Sequence, residues 1–112
     1  MTITVPNLGV IGSESLTIDS TAGGKSLTAA QYQQAQSSND ARETVATRAL
    51  VTVEAQPIRW SINPAVTVTA TTNGHYAAAL DAFWLTNATE ILNFRAIRAT
   101  GSDGTIRVTY FY

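Results

Sequence analysis

Residues 93–112 read NFRAIRATGSDGTIRVTYFY, and this stretch decides the fold. Residues 105–112 alternate strictly, as in a β-strand with one buried and one outward face. We expect the buried face to carry Ile106, Val108, Tyr110 and Tyr112, and the outward face to carry Thr105, Arg107, Thr109 and Phe111. The preceding run, residues 94–100, has the same character, and the polar turn Gly101-Ser102-Asp103-Gly104 separates the two. The stretch therefore predicts a closing β-hairpin.

Similar runs precede it at intervals of about ten residues, which is typical of a β-sandwich or barrel. A second hairpin is predicted from residues 49–53 and 58–62 across Ala55-Gln56-Pro57. Further strands are predicted around Val66 and Val68 and over residues 82–85, followed by a helical turn capped at Asn87. Residues 46–112 are thus predicted to form an antiparallel all-β domain, either a sandwich or a barrel-like fold.

Residues 1–45 differ in composition, since polar stretches separate short apolar pieces. Ile3 and Val5 alternate before Pro6, and Leu16 and Ile18 form a second short strand candidate. Residues 27–32 are compatible with a helical turn. We interpret this part as an extended, loop-rich N-terminal segment. It supplies either edge strands with long connections or an arm that lies on a neighbouring subunit.

The totals restrict the class of protein. A chain of 112 residues is one domain, and 13% charged residues is low against about a quarter in typical domains. A surface with so little charge is expected to be partly covered by another chain. The net charge of −1 argues against nucleic-acid binding, and no apolar stretch approaches the roughly 20 residues that span a bilayer. There is no cysteine, and the first residues lack the pattern of a signal peptide.

No group of residues has the spacing of a catalytic or cofactor site. His75 follows the Asn73-Gly74 turn with no acid or nucleophile beside it. Residues 23–26, GGKS, lack the spacing of a phosphate-binding loop. Asp103-Gly104 lacks the repeated acidic ligands of a calcium loop. We therefore predict a non-enzymatic protein without metal or cofactor.

Aromatic and arginine residues are the remaining candidates for function. Trp60 and Trp84 alternate in phase with aliphatic neighbours, which favours a place in the core. The alternative is a sugar-binding platform that they form with Tyr110 and Tyr112. The arginines on the predicted strands are either solvated or pair with carboxylates of a neighbouring chain. Our predicted interface residues are Arg95, Arg98, Arg107, Phe111, Ile3 and Val5.

Residues 46–112 resemble small structural proteins of tailed bacteriophages. The resemblance rests on RALVTVEAQPIRWSIN (residues 48–63), on NATEILNFRAIRAT (87–100) and on the final TIRVTYFY (105–112). Its most specific part is Glu90-Ile91 followed by residues 93–98, NFRAIR. Residues 1–45 have no counterpart in it.

The resemblance implies a virion component made in the host cytoplasm. It fits best a decoration, or cement, protein on the capsid surface, which binds the major capsid protein as a homotrimer. The alternatives are a head–tail or tail component of a virion, and a carbohydrate-binding β-sandwich module.

Overall fold

A computed structural model describes residues 9–35 and 43–112; for residues 34, 35, 43 and 44 only the backbone is considered. The predicted interface residues Ile3 and Val5 lie outside the described residues. The described elements are β1 (Val10–Ile18), α1 (Ala29–Tyr32), β2 (Gln33–Ala35), β3 (Glu43–Val45), β4 (Arg48–Glu54), β5 (Ile58–Ser61), β6 (His75–Ala77), β7 (Ala82–Leu85), α2 (Ala88–Asn93), β8 (Arg95–Arg98) and β9 (Gly104–Phe111).

The strands form two antiparallel sheets, which confirms the predicted all-β, sandwich-like fold. The four-stranded sheet has the order β1-β9-β4-β7, and the three-stranded sheet has the order β6-β5-β8. Beyond β8, Lys25 forms an isolated bridge with Ala96, and their backbone groups exchange hydrogen bonds of 2.7 and 3.0 Å. A separate ribbon pairs β2 with β3.

The core lies between the two sheets and follows the predicted alternation. The inward side chains of β4 and β9 are at most 1% exposed: Ala49, Val51, Val53, Ile106, Val108 and Tyr110. The three-stranded sheet and α2 contribute Ile58, Ile91 and Phe94, each at most 1% exposed. The prediction for Tyr112 is wrong, since this residue is 50% exposed and lies just beyond β9.

Both predicted hairpins are wrong, because each pair of consecutive strands is divided between the two sheets. β4 pairs with β7 and β9, whereas β5 pairs with β6 and β8. The chain changes sheet at Ala55, which has a φ of +70°. It changes sheet again before Gly104, where an added Cβ would come within 2.8 Å of the carbonyl oxygen of Gln56. The two corners therefore pack against each other at one end of the sandwich.

The predicted strand around Val66 and Val68 is also wrong, because residues 62–74 form a loop. Thr69 Oγ1 accepts hydrogen bonds from the backbone N–H groups of Thr72 and Asn73, which holds the chain in a turn. Val68 is nevertheless 1% exposed. Arg59 donates to the carbonyl oxygens of residues 70 and 74 from the sheet beneath. The loop thus covers the outer side of the three-stranded sheet at β5, and leaves Tyr76 on the edge strand β6 57% exposed.

The two helices are short, and side-chain hydrogen bonds fix them. Asn87 Oδ1 accepts from the N–H of Glu90 (2.8 Å), and Glu90 Oε1 accepts from the N–H of Thr86 (2.7 Å), so the predicted cap is confirmed. At α1 the N–H of Thr28 donates to the carboxylate of Glu14 on β1 (3.1 Å). Neither helix, nor any other part of the described chain, is a helical segment long and apolar enough to cross a membrane.

Candidate interaction surface

The outer face of the four-stranded sheet is not covered by the loop that closes the other sheet. The registers of β1, β9, β4 and β7 place the outward residues in cross-strand rows. We call this set the outer face: Val10, Ser13, Ser15, Thr17, Arg48, Leu50, Thr52, Glu54, Ala82, Trp84, Thr105, Arg107, Thr109 and Phe111. Small hydroxyl and apolar side chains dominate it, and only three of its members are charged.

One end of the outer face is apolar. The ring of Trp84 is 5.6 Å from that of Phe111 at an angle of 44°, and Trp84 is 47% exposed. Leu50 lies opposite Trp84 on β4, and Val10 lies opposite Phe111 on β1. The prediction that Trp84 belongs to the core is therefore wrong. Both faces of β7 are apolar, and the inward positions go to Phe83 and Leu85 instead.

The middle of the outer face is nearly neutral. Arg107 Nε donates to Glu54 Oε2 at 2.5 Å, and both side chains remain well exposed. Such an exposed pair contributes little to stability, about 0–1 kcal/mol. Its main effect is to cancel two of the three charges on the face, which leaves Arg48 at the apolar end.

The predicted interface residues do not form one surface. Arg107 and Phe111 lie together on the outer face. Arg95 and Arg98 lie on β8 in the other sheet. Arg95 Nη1 donates to the carbonyl oxygens of residues 92 and 94 (3.2 and 2.7 Å), and Arg98 forms an ion pair with Asp103 at 2.7 Å. Each guanidinium thus makes its contacts within the chain through Nη1, and a role in an interface stays a prediction.

Trp60 and Trp84 do not form a joint platform. Trp60 is half-buried and stacks on Phe83, with ring centroids 4.3 Å apart and planes 6° from parallel. Phe94 lies on the same cluster, 6.0 Å from Trp60. Trp60 thus packs towards the core, as predicted, whereas Trp84 points to the opposite side of the four-stranded sheet. A sugar-binding site would have to use Trp84 without Trp60.

A polar cluster lies on the inner side of the four-stranded sheet, and no sequence motif predicted it. Tyr110 is fully buried, and its hydroxyl donates to Oε2 of Glu14. The same carboxylate oxygen accepts from the N–H of Thr28, so one side chain links β1, β9 and the start of α1. Burial raises the pKa of the Tyr110 phenol far above its usual range, and Glu14 raises it further. The sequence contained one signal for this cluster: Glu14 alternates with Leu16 and Ile18, so it lies on the inward face of the same strand.

Leu80 is a second feature that sequence reasoning missed. It is 89% exposed and has a φ of +77°, a conformation that L-residues rarely adopt. Its N–H donates to the carbonyl oxygen of Val53 (2.7 Å), and the neighbouring Asp81 accepts from the N–H of Ala78 (2.8 Å). The turn therefore holds an apolar side chain in solvent immediately before β7.

The rest of the described chain offers little chemistry. Within residues 9–35 and 43–112, no three His, Cys, Asp or Glu side chains are grouped so that they could hold a metal ion. His75 is exposed and lies against the Trp60 ring, 4.9 Å away. A cleft of about 170 Å³ beside Arg95 is lined by Gly23, Asn63, Pro64, Val66, Thr67 and Asn93. It pairs no acid with a base or nucleophile.

Comparisons with known proteins add no relative: no family model, no curated protein and no solved structure matches this chain. The function of the chain is therefore a proposal, and the geometry of the outer face is what supports it.

Proposed function

We propose that the protein is a decoration protein of a tailed-bacteriophage capsid, located on the virion surface. It binds the shell of the major capsid protein, stabilises it as a homotrimer and catalyses no reaction. The observation that carries this proposal is the outer face, which the described residues leave uncovered, whose Arg107 and Glu54 charges are paired with each other, and which is apolar at one end. Exposed aromatic residues and arginine, which this face carries as Trp84, Phe111 and Arg48, are enriched at protein interfaces.

The contrast between the two sheets supports the assignment of the docking side. Residues 62–74 cover the outer side of the three-stranded sheet in part: Ile97 on β8 is 8% exposed, whereas Tyr76 on the edge strand β6 is 57% exposed. On the four-stranded sheet Trp84 is 47% exposed. A monomer that functions alone would be expected to cover or charge such a face. A face left open in this way favours a partner surface.

The size of the outer face indicates how far the contact extends. Four strands spaced about 4.8 Å apart and about seven residues long cover roughly 400 Å². A standard interface takes about 800 Å² from each partner. The docked shell is therefore expected to reach beyond the sheet, and the protruding Leu80 beside β7 is suited to extend the contact.

A decoration protein stabilises a shell by mass action. If it binds the expanded shell and not the unexpanded one, binding at 100 times Kd stabilises the expanded state by about 2.7 kcal/mol per site. No conformational change in the decoration protein is required. A rigid sandwich with a preformed face is suited to this role.

The proposal is tested with heads of the phage that carries this chain, prepared without it. Purified protein is expected to co-sediment with expanded heads and to raise the temperature at which they disrupt. Trp84→Ala is expected to weaken binding at least tenfold, because it removes the exposed anchor. Tyr76→Ala is the matched control, since Tyr76 is 57% exposed on the other sheet. Wild-type protein that does not bind expanded heads would end the proposal.

Two other outcomes would assign a different function to the protein. Immunogold label confined to one vertex or to the tail would assign a head–tail or tail component. Binding to a glycan array that is lost in Trp84→Ala would assign a carbohydrate-binding module, for which Trp84 is the exposed stacking ring.

A further inference from the structure

The edge of the four-stranded sheet formed by β1 carries a second inference, which does not depend on the capsid role. β1 is nine residues long, and among the described strands it pairs with β9 alone. A long edge strand exposes a row of backbone groups that pair readily with another strand. Which groups of β1 point outward follows from the hydrogen bonds of its neighbours.

The hydrogen bonds of β4 show which way its backbone N–H and C=O groups point. Val53 exchanges backbone hydrogen bonds with residues 80 and 81, so its N–H and C=O point towards β7. In an antiparallel pair these groups alternate in direction from residue to residue. Thr52 therefore points towards β9, and Arg107, its partner in the register, points back towards β4.

The same alternation along β9 shows which way the backbone groups of β1 point. Val108 points towards β1, and its partner Glu14 points back. The backbone groups of Ser13, Ser15 and Thr17 must then point away from the sheet. Within the described residues no backbone hydrogen bond joins these three residues to another segment. Their side chains are exposed as well.

Within the described residues, this part of the edge has little of the usual protection against pairing. Natural edges carry lysine, proline, inward charges or bulges. The irregularity in the β1 register lies between Val10 and Gly12, outside residues 13–17. The carboxylate of Glu14 is engaged by Tyr110 and Thr28 beneath the sheet. By contrast, the edge of β8 is occupied by the bridge to Lys25.

We propose that a second copy of this chain pairs with this edge, β1 antiparallel to β1 about a two-fold axis through Ser15. In this register Ser15 lies opposite Ser15 of the second copy, and Ser13 lies opposite its Thr17. All three outward residues then meet outward residues, which gives six backbone hydrogen bonds and pairs of hydroxyl side chains. Glu14 lies opposite the second copy's Leu16. The result is a continuous eight-stranded sheet.

The charge pattern selects this register over its neighbour. A shift to an axis through Glu14 would place the two Glu14 carboxylates directly opposite each other, which is unfavourable. It would also match only two of the three outward residues. The edge is thus self-complementary about one position, as a two-fold interface requires.

The test is the mass of the wild-type protein and of two charged variants in sedimentation velocity. Ser15→Lys places two lysines opposite each other, and the mass is expected to fall to half that of the wild type. Ser15→Glu is expected to behave in the same way, and an equimolar mixture of the two variants to recover the wild-type mass. A mass that Ser15→Lys leaves unchanged would overturn the proposal.

Cross-linking provides a second measurement that does not depend on the charged variants. The chain has no cysteine, so a single introduced one reports only its own contacts. Ser15→Cys is expected to form a disulfide-linked dimer on mild oxidation, since opposed Cα atoms about 5.5 Å apart suit the bond. Ser102→Cys, on an exposed turn remote from β1 in sequence, is the control. Equal cross-linking of the two variants, or none in Ser15→Cys, would overturn the proposal.

Discussion

Replacing Tyr110 by phenylalanine removes one hydroxyl group from the centre of the fold and leaves the ring in place. The ring keeps its contact with Tyr32, 5.7 Å away. What is lost is the hydrogen bond to the Glu14 carboxylate. Hydrogen bonds to charged groups contribute about 1.5–3 kcal/mol. Because Glu14 is only half-buried and water can replace the hydroxyl, we expect the lower end, about 1.5 kcal/mol.

The effect depends on pH in a direction set by the pKa of Tyr110. Burial raises the pKa of this phenol in the folded protein, whereas in the unfolded chain it stays near 10. The folded state therefore holds the proton where the unfolded state has lost it, and the contribution of Tyr110 to stability is present below pH 10 and declines above it. The expected slope is about 1.4 kcal/mol per pH unit. The advantage of the wild type over Tyr110→Phe should thus vanish near pH 11.

Urea denaturation followed by circular dichroism at pH 7 and from pH 9.5 to 11 measures both effects. At pH 7 we also expect a melting temperature lower by about 6 °C in Tyr110→Phe. Tyr76→Phe is the control, because Tyr76 is exposed and should change neither the stability nor its slope. A loss below about 0.5 kcal/mol at pH 7, or a difference that does not narrow at alkaline pH, would refute the reasoning.

Three further predictions concern the backbone, a carboxylate and the core. Ala55→Gly should stabilise the protein by about 0.5–1 kcal/mol in urea denaturation, because it relieves a φ of +70°; a loss of stability would contradict this. Thr21→Ala should raise the pKa of Asp19 part of the way to its usual 3.8, since it removes the Thr21 hydroxyl, whose hydrogen bond is the largest cause of the lowered pKa, and keeps the Thr21 N–H; carboxyl ¹³C NMR titration measures it, and an unchanged pKa would refute the assignment. Phe94→Ala should cost about 3–5 kcal/mol and Leu92→Ala less than about 0.5, because Phe94 is 0% and Leu92 56% exposed; similar losses would show that the core is misplaced.

Alternation along the sequence was sufficient to predict the strands but not their partners. The period of β4 and β9 located Val51 and Val108 in the core. The same period is compatible with a hairpin or with a change of sheet, because both bury every second residue. The chain changes sheet at Ala55 and Gly104, and the conformation and packing of these residues depend on contacts between distant parts of the sequence. The local sequence pattern therefore could not predict the change of sheet.

The candidate surface was predicted in part. The outward placement of Arg107 and Phe111 followed from the phase of the last strand, and the structure confirms it. Trp84 could not be placed, since both faces of β7 are apolar and only the stacking of Phe83 on Trp60 decides which face turns inward. Leu80 was missed because its exposure results from a strained turn, and leucine is not a residue type that predicts a positive φ.

The central claim is that the outer face of the four-stranded sheet meets the shell. Electron cryo-microscopy of expanded heads decorated with the wild-type protein tests it most directly. The account predicts density for the sandwich on the head surface with Trp84 and Phe111 turned towards the major capsid protein and residues 62–74 turned towards solvent. Density with the three-stranded sheet against the shell, or heads without added density, would contradict it.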